Sequence, residues 1–129
     1  MKTSVNQTVI RRILYGNALF SGVSGLLFIF ASSPIAEFIG LDSSLAILII
    51  GIGLAGYAAL IYANASRAEI YSSFVLFAVI GDSTWVLLSI VLLLTGWVTF
   101  SVEGKWAVGI IAAMVDVFAT LQLIEWRKM

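Results

Sequence analysis

Asp82 and Asp116 are the two residues of this chain whose type and setting could do chemistry. Each lies deep inside a long apolar run. An ionised carboxylate facing hydrocarbon costs at least about 2.5–3.5 kcal/mol even on the most lenient scale. Acids therefore persist in such runs where they are paired, or where they handle a proton, an ion or a ligand. Asp82 follows Ser73 by nine residues and Asp116 precedes Glu125 by nine. At 1.5 Å per helical residue, both fall about 13 Å from one edge of a membrane. Other polar residues recur around them at helical spacing. Asn17, Ser21 and Ser24 follow i, i+4, i+7; Trp85 and Ser89 lie one and two turns beyond Asp82; Thr120 lies one turn beyond Asp116. Trp85 offers a stacking face or an indole N–H, and Tyr57 and Tyr62 are weaker candidates. Together Asp82, Asp116, Asn17, Ser21, Ser24, Trp85, Ser89 and Thr120 form the candidate ligand- or proton-binding set. In a hairpin turning near Thr99, residues whose numbers sum to about 198 share one level, and the two acids do so. If both point inward they would titrate as a pair holding one proton. The plainer alternative is that the acids hydrogen-bond Asn17 or Ser21 and pin the helix register.

The elements that would hold these residues follow from composition. Of 129 residues, 61% are apolar and 11% are charged, against about 45–50% and about 25% in soluble domains. A water-soluble domain of this size needs more polar surface than the chain supplies, so its solvent is expected to be the lipid bilayer. Seven basic residues balance seven acidic ones, which gives no reason to expect nucleic acid. There is no Cys and no His, which removes disulfides, thiolate chemistry, the usual haem ligand and the commonest general base. No metal and no cofactor is expected.

Four windows, at about 13–31, 45–63, 74–97 and 106–124, meet the length of about 18 residues for a spanning helix. The fold class expected is all-α, one transmembrane domain over 1–129: a four-helix bundle of two antiparallel hairpins. Ser32-Ser33-Pro34 closes the first window, Asp42-Ser43-Ser44 precedes the second, and the segments 64–69 and 102–105 separate the rest. Lys2, Arg11, Arg12, Arg67, Arg127 and Lys128 fall on one side, and Lys105 alone falls on the other with Glu37, Asp42 and Glu103. By the positive-inside rule both termini are cytoplasmic, as in a multi-pass protein of a plasma or bacterial inner membrane. Arg11-Arg12, the apolar run and Ala31-Ser32-Ser33 resemble a secretory signal, but the run is long for one; a retained first helix is expected, extended into the interface over Thr8–Ile13. Sliding the chain on itself aligns Gly16-Asn17 with Gly81-Asp82, Phe20 with Trp85 and Ser24 with Ser89. That register would make the hairpins a parallel repeat, with Asn17 and Asp82 on corresponding faces.

Paired intramembrane aspartates also serve aspartyl proteases. Presenilin-like proteases carry Gly-x-Gly-Asp, whereas Val79-Ile80-Gly81-Asp82 lacks the first glycine. The gross plan resembles lipoprotein signal peptidases, but their Asn-x-Ala-Asp motif is absent from 78–82 and 113–116. Small multidrug transporters are similar in topology, yet their acid lies in the first helix, where this chain has Asn17. No enzyme is expected. Three functions remain: transport or binding of a proton, cation or small amine at the acids; a non-catalytic subunit packing on itself or on a membrane partner; and a binder of lipid or other apolar molecules. Gly/Ala stripes at Gly51, Ala55, Gly56, Ala59 and Ala63, and at Gly109, Ala112, Ala113 and Ala119, provide for helix packing and a homo-oligomer.

Overall fold

A computed structural model describes residues 7–129; Lys2, one of the basic residues assigned to the cytoplasmic side, lies outside the described residues. The fold is all-helical, with no strand among the described residues. Five helices follow in order: α1 (Thr8–Phe30), α2 (Ser32–Ile39), α3 (Leu45–Ala65), α4 (Ser72–Thr95) and α5 (Val102–Arg127). α1, α3, α4 and α5 are long and apolar enough to cross a membrane, which fits a multi-pass membrane protein. In lipid a helix meets every interior backbone hydrogen bond within its own segment, so the four apolar runs take that form.

The apolar windows mark these helices, but local chemistry sets their ends. Pro34 lacks an N–H and its ring collides with the carbonyl four residues back; that residue is Phe30, where α1 stops. The chain then resumes as α2, in whose first turn Pro34 is tolerated, so the expected loop over 32–44 is half helix. Gly40, at φ 89°, closes α2. Its N–H and that of Leu41 return to the carbonyls of Glu37 (3.2 Å) and Ala36 (2.8 Å), a Schellman closure. α5 begins four residues earlier than its apolar window, because Ser101 caps it: the Ser101 hydroxyl accepts from the Gly104 N–H at 2.9 Å. Glu103 sits in that first turn, where the helix dipole favours an acid.

Two helix pairs pack closely, α1 on α3 and α4 on α5; α5 also lies along α1, whereas the α3 and α4 backbones stay apart and are bridged by the Tyr57 side chain. Small residues set the α1–α3 approach. A Cβ added at Gly25 would lie 2.7 Å from the Ala55 backbone nitrogen and 2.9 Å from the Gly51 carbonyl oxygen. Gly51 and Ala55 of the small-residue stripe on α3 are thus spent inside the chain, and Gly56 and Ala59 face outward. Between α1 and α5, the Phe20 and Phe118 rings meet at 5.9 Å.

Both ends of the helix assembly are tied. At the end carrying the described termini, Arg11 of α1 donates to the carbonyls of Ala65, Arg67 (2.6 Å) and Ala68 (3.2 Å). Ala65 is a free acceptor at the C-terminus of α3, where a cation is favoured by the dipole, and the other two lie in the turn just beyond it. Gln7 forms a two-way pair with the Ile70 backbone, at 3.0 and 2.8 Å. Beneath lies a core of Ile10, Leu14, Ala18, Ile61, Ala65, Ile70, Val75 and Ala78. At the opposite end α2 docks on the start of α5. Ser101 donates its N–H to the Ile39 carbonyl at 2.9 Å and its hydroxyl to the Phe38 carbonyl at 2.7 Å.

Candidate functional site

Asp82 is 3% exposed, at the meeting point of all four long helices. Each of the others supplies a polar group there. Asn17 of α1 donates its amide to Oδ2 of Asp82 at 2.7 Å, and Gln122 of α5 donates to the same oxygen at 2.9 Å. Tyr57 of α3 donates its hydroxyl to Oδ1 at 2.9 Å and lies 3.3 Å from the Ala78 carbonyl. The amides also bind each other, Asn17 donating to the Gln122 oxygen at 2.8 Å, and Ser21 donates to the Asn17 oxygen at 3.1 Å. Among the described residues no buried side-chain polar atom lacks a partner. Such satisfaction is what makes a polar cluster tolerable at low dielectric.

The electrostatics are lopsided. Every donor to Asp82 is neutral. All seven basic residues of the chain stand at positions 2, 11, 12, 67, 105, 127 and 128, outside the middle of every span. The ion pair between Lys128 and Glu125, at 3.0 Å, lies at the end of α5. Three hydrogen bonds orient the carboxyl but bring no compensating charge to it.

Beside the cluster is a cavity of about 410 Å³. Its floor includes Ser21, Tyr57 and Asp82, and its walls include Phe20, Phe28 and Trp85. All four long helices line it, and it lies where the α3 and α4 backbones stay apart, beside the Tyr57 side chain that bridges them. Ser24 lines it too and has no hydrogen-bond partner among the described residues. No group of three or more His, Cys, Asp or Glu that could hold a metal occurs among the described residues.

Of the eight sequence candidates, Asn17, Ser21, Ser24, Asp82 and Trp85 are brought to the cluster or the cavity wall. Ser89 is buried, but its hydroxyl returns to the Trp85 carbonyl at 2.8 Å and stays out of the cavity. Asp116 and Thr120 do not join: both are exposed on the outer face of α5. The expected inward pair of acids is therefore not formed within one chain. Its level is right, since Val115 lines the cavity with Asp82; its rotation is wrong. The buried face of α5 runs through Ala112, Val115, Ala119 and Gln122. Asp116 and Thr120 each follow a member of that face by one residue, hence by about 100°.

One site residue, Gln122, was not among the candidates, and another, Tyr57, stood only among the weaker ones. Gln122 is 0% exposed and holds both Asp82 and Asn17. It stands near the end of its apolar window, where an amide passes for an interfacial residue; its spacing of three and seven from Ala119 and Val115 was the usable signal. Tyr57 is a polar-tipped ring in the middle of an apolar helix, and a buried hydroxyl needs a partner. Comparison with protein-family models, with curated proteins and with solved structures finds no match to this chain.

Proposed function

We propose that the chain is a multi-pass membrane protein, a bundle of two antiparallel hairpins with both termini cytoplasmic, that binds a small organic cation at Asp82. One observation carries this reading: a buried carboxyl that has only neutral partners stands at the edge of a cavity lined with aromatic rings. A buried acid is stable when neutral or when a cation reaches it, and the span interiors supply no Lys or Arg. Phe20, Phe28, Tyr57 and Trp85 add ring faces that attract a cation stripped of water. The cavity lies within the range of about 300–1,000 Å³ usual for small-molecule sites. The orientation rests on the basic residues of the α3–α4 turn and the terminal segments.

The test is calorimetric titration of the purified, lipid-reconstituted protein with benzyltrimethylammonium and with neopentylbenzene, its uncharged isostere. Binding of the cation, weakened about tenfold or more in Asp82→Asn, supports the reading; a tenfold loss corresponds to about 1.4 kcal/mol. Equal binding of both compounds, unaffected by Asp82→Asn, would instead make the cavity an apolar-molecule site.

A second reading has its own observation. Asp116 is exposed on α5 and has no partner among the described residues. A carboxyl at that depth calls for cover, so the chain also assembles, with itself or with a membrane partner, through that face.

A further inference from the structure

We infer that the ligand of the Asp82 cavity is an amphiphilic organic ammonium ion dissolved in the bilayer, which enters sideways from the lipid between α3 and α4. This rests on the proposal that Asp82 binds a cation, and adds the class of that cation and its route.

The route follows from what is closed. Toward the termini the polar cluster lies on the packed core of Ile10, Leu14 and Ile61, and the Arg11 and Gln7 contacts strap the turn above α4. At the other end α2 is fastened to α5 through Ser101 and Gly104. The side between α3 and α4 has no such closure. The backbones of these helices stay apart, bridged by the Tyr57 side chain, which meets Asp82, Ala78 and the Phe77 ring; beside that bridge the cavity lining includes Ile50, Gly53 and Phe77, all exposed. A Cβ at Gly53 would meet nothing within 4 Å. In a membrane that mouth faces acyl chains.

The class follows from the lining. A metal or alkali ion takes several oxygen ligands; the side-chain oxygens lining this cavity are the Asp82 carboxyl and the Ser21, Ser24 and Tyr57 hydroxyls, of which Ser21 and Tyr57 already donate to Asn17 and Asp82, and most of the remaining lining is hydrocarbon. A proton alone has no use for about 410 Å³ of apolar space. A molecule with one cationic head and an apolar body matches both parts: its head meets Asp82 and the rings, and its body fills the space toward Phe28 and Ile111.

The experiment measures association and dissociation rates in phosphatidylcholine nanodiscs, read from Trp85 fluorescence with Trp97, Trp106 and Trp126 replaced by Phe. The probes are benzyltrimethylammonium and homologues with para-alkyl chains of increasing length. Entry from lipid predicts that the association rate per total ligand rises with membrane partitioning. Gly53→Trp, which narrows the mouth, should lower association and dissociation together by about tenfold, leaving Kd within about threefold. Phe77→Ala, which widens it, should raise both. Asp82→Asn should weaken binding while the route stays as it was. Binding that depends on Asp82 but has rates indifferent to chain length, Gly53→Trp and Phe77→Ala would overturn the lateral route and leave the cation site standing. No binding of any probe to the unmodified protein would remove the cation site, and this inference with it.

Discussion

Two carboxyl oxygens with different partners decide what can replace Asp82. Oδ2 accepts from Asn17 and Gln122, and Oδ1 accepts from Tyr57 alone. An asparagine can put its oxygen in the place of Oδ2 and aim its amide at the Tyr57 oxygen, while Tyr57 still donates to the Ala78 carbonyl. Asp82→Asn should therefore unfold within about 1 kcal/mol of the parent, because every partner keeps a hydrogen bond. Asp82→Leu strands the Gln122 amide and should cost about 1–3 kcal/mol. Both are measurable as shifts in reversible unfolding in mixed micelles, and equal stability of the two variants would sink the cluster as a structural unit. Gln122→Leu should resemble Asp82→Leu, since it deprives both Asp82 and Asn17 of a partner. Asn17 and Asp82 were legible from the sequence because a polar side chain in the middle of an apolar run is too costly to leave facing lipid. Gln122 was not, because near the end of its apolar window an amide passes for an interfacial residue. Rotation about a helix axis is the harder quantity to read. Ala112, Ala113, Asp116 and Ala119 are small or acidic in turn, so α5 has no single apolar stripe to show which side faces in.

Among the helices, glycine positions separate contacts that hold the fold from surfaces left open. Gly25 faces backbone atoms of α3 at under 3 Å from a would-be Cβ, whereas Gly56 meets nothing within 4 Å. Gly25→Leu should separate α1 from α3 and cost about 1–3 kcal/mol as an overpacked contact. Gly56→Leu should be neutral in the same unfolding assay, and the reverse order would contradict the α1–α3 packing. Gly104→Ala tests the α2 clasp, since its methyl would sit 2.5 Å from the Ile39 carbonyl oxygen. The expected result is faster hydrogen exchange at the Ser101 N–H, which donates to that carbonyl. The four long helices were readable from apolar length alone. α2 was not, because a window with Ser32, Ser33, Pro34 and Glu37 looks like a break; only the carbonyl position that Pro34 forbids distinguishes a kink at Phe30 from the end of helical structure. The start of α5 was missed for a related reason. Hydropathy begins at Trp106, while the cap that sets the helix is Ser101.

For the molecule as a whole, orientation and assembly are linked by the absence of cysteine, which makes any introduced thiol a unique reporter. With both termini cytoplasmic, Asp42→Cys and Glu103→Cys should react with an impermeant maleimide added outside intact cells, and Ala68→Cys should react only after lysis. The opposite pattern would invert the proposed topology. Assembly turns on α5. Gly109, Ala113, Asp116 and Thr120 recur at helical spacing along its outer side, and among the described residues no other helix lies within 4 Å of a Cβ at Gly109. Asp116 is eleven residues from Arg127, about 16 Å along the helix axis. A carboxyl left against lipid at that depth costs at least about 2.5 kcal/mol, whereas small residues on either side let another helix come close enough to cover it. A second copy meets both needs. Two α5 helices crossing near Ala113 would place each Asp116 beside the acid and the Thr120 hydroxyl of its twin, where one carboxyl can donate to the other. Ala113→Cys should then form a disulfide-linked dimer in membranes, and Leu19→Cys, exposed on α1, should not. Asp116→Leu separates the two forces. If the acid's hydrogen bonds drive association, the dimer weakens although the face becomes more apolar; if close packing drives it, the Ala113→Cys link persists in that background. A crosslink yield at Ala113 no higher than at Leu19, with a monomer at every protein-to-lipid ratio, would mean that α5 does not self-associate. Asp116 would then await a partner with a cation inside its span, because this chain has none there to offer.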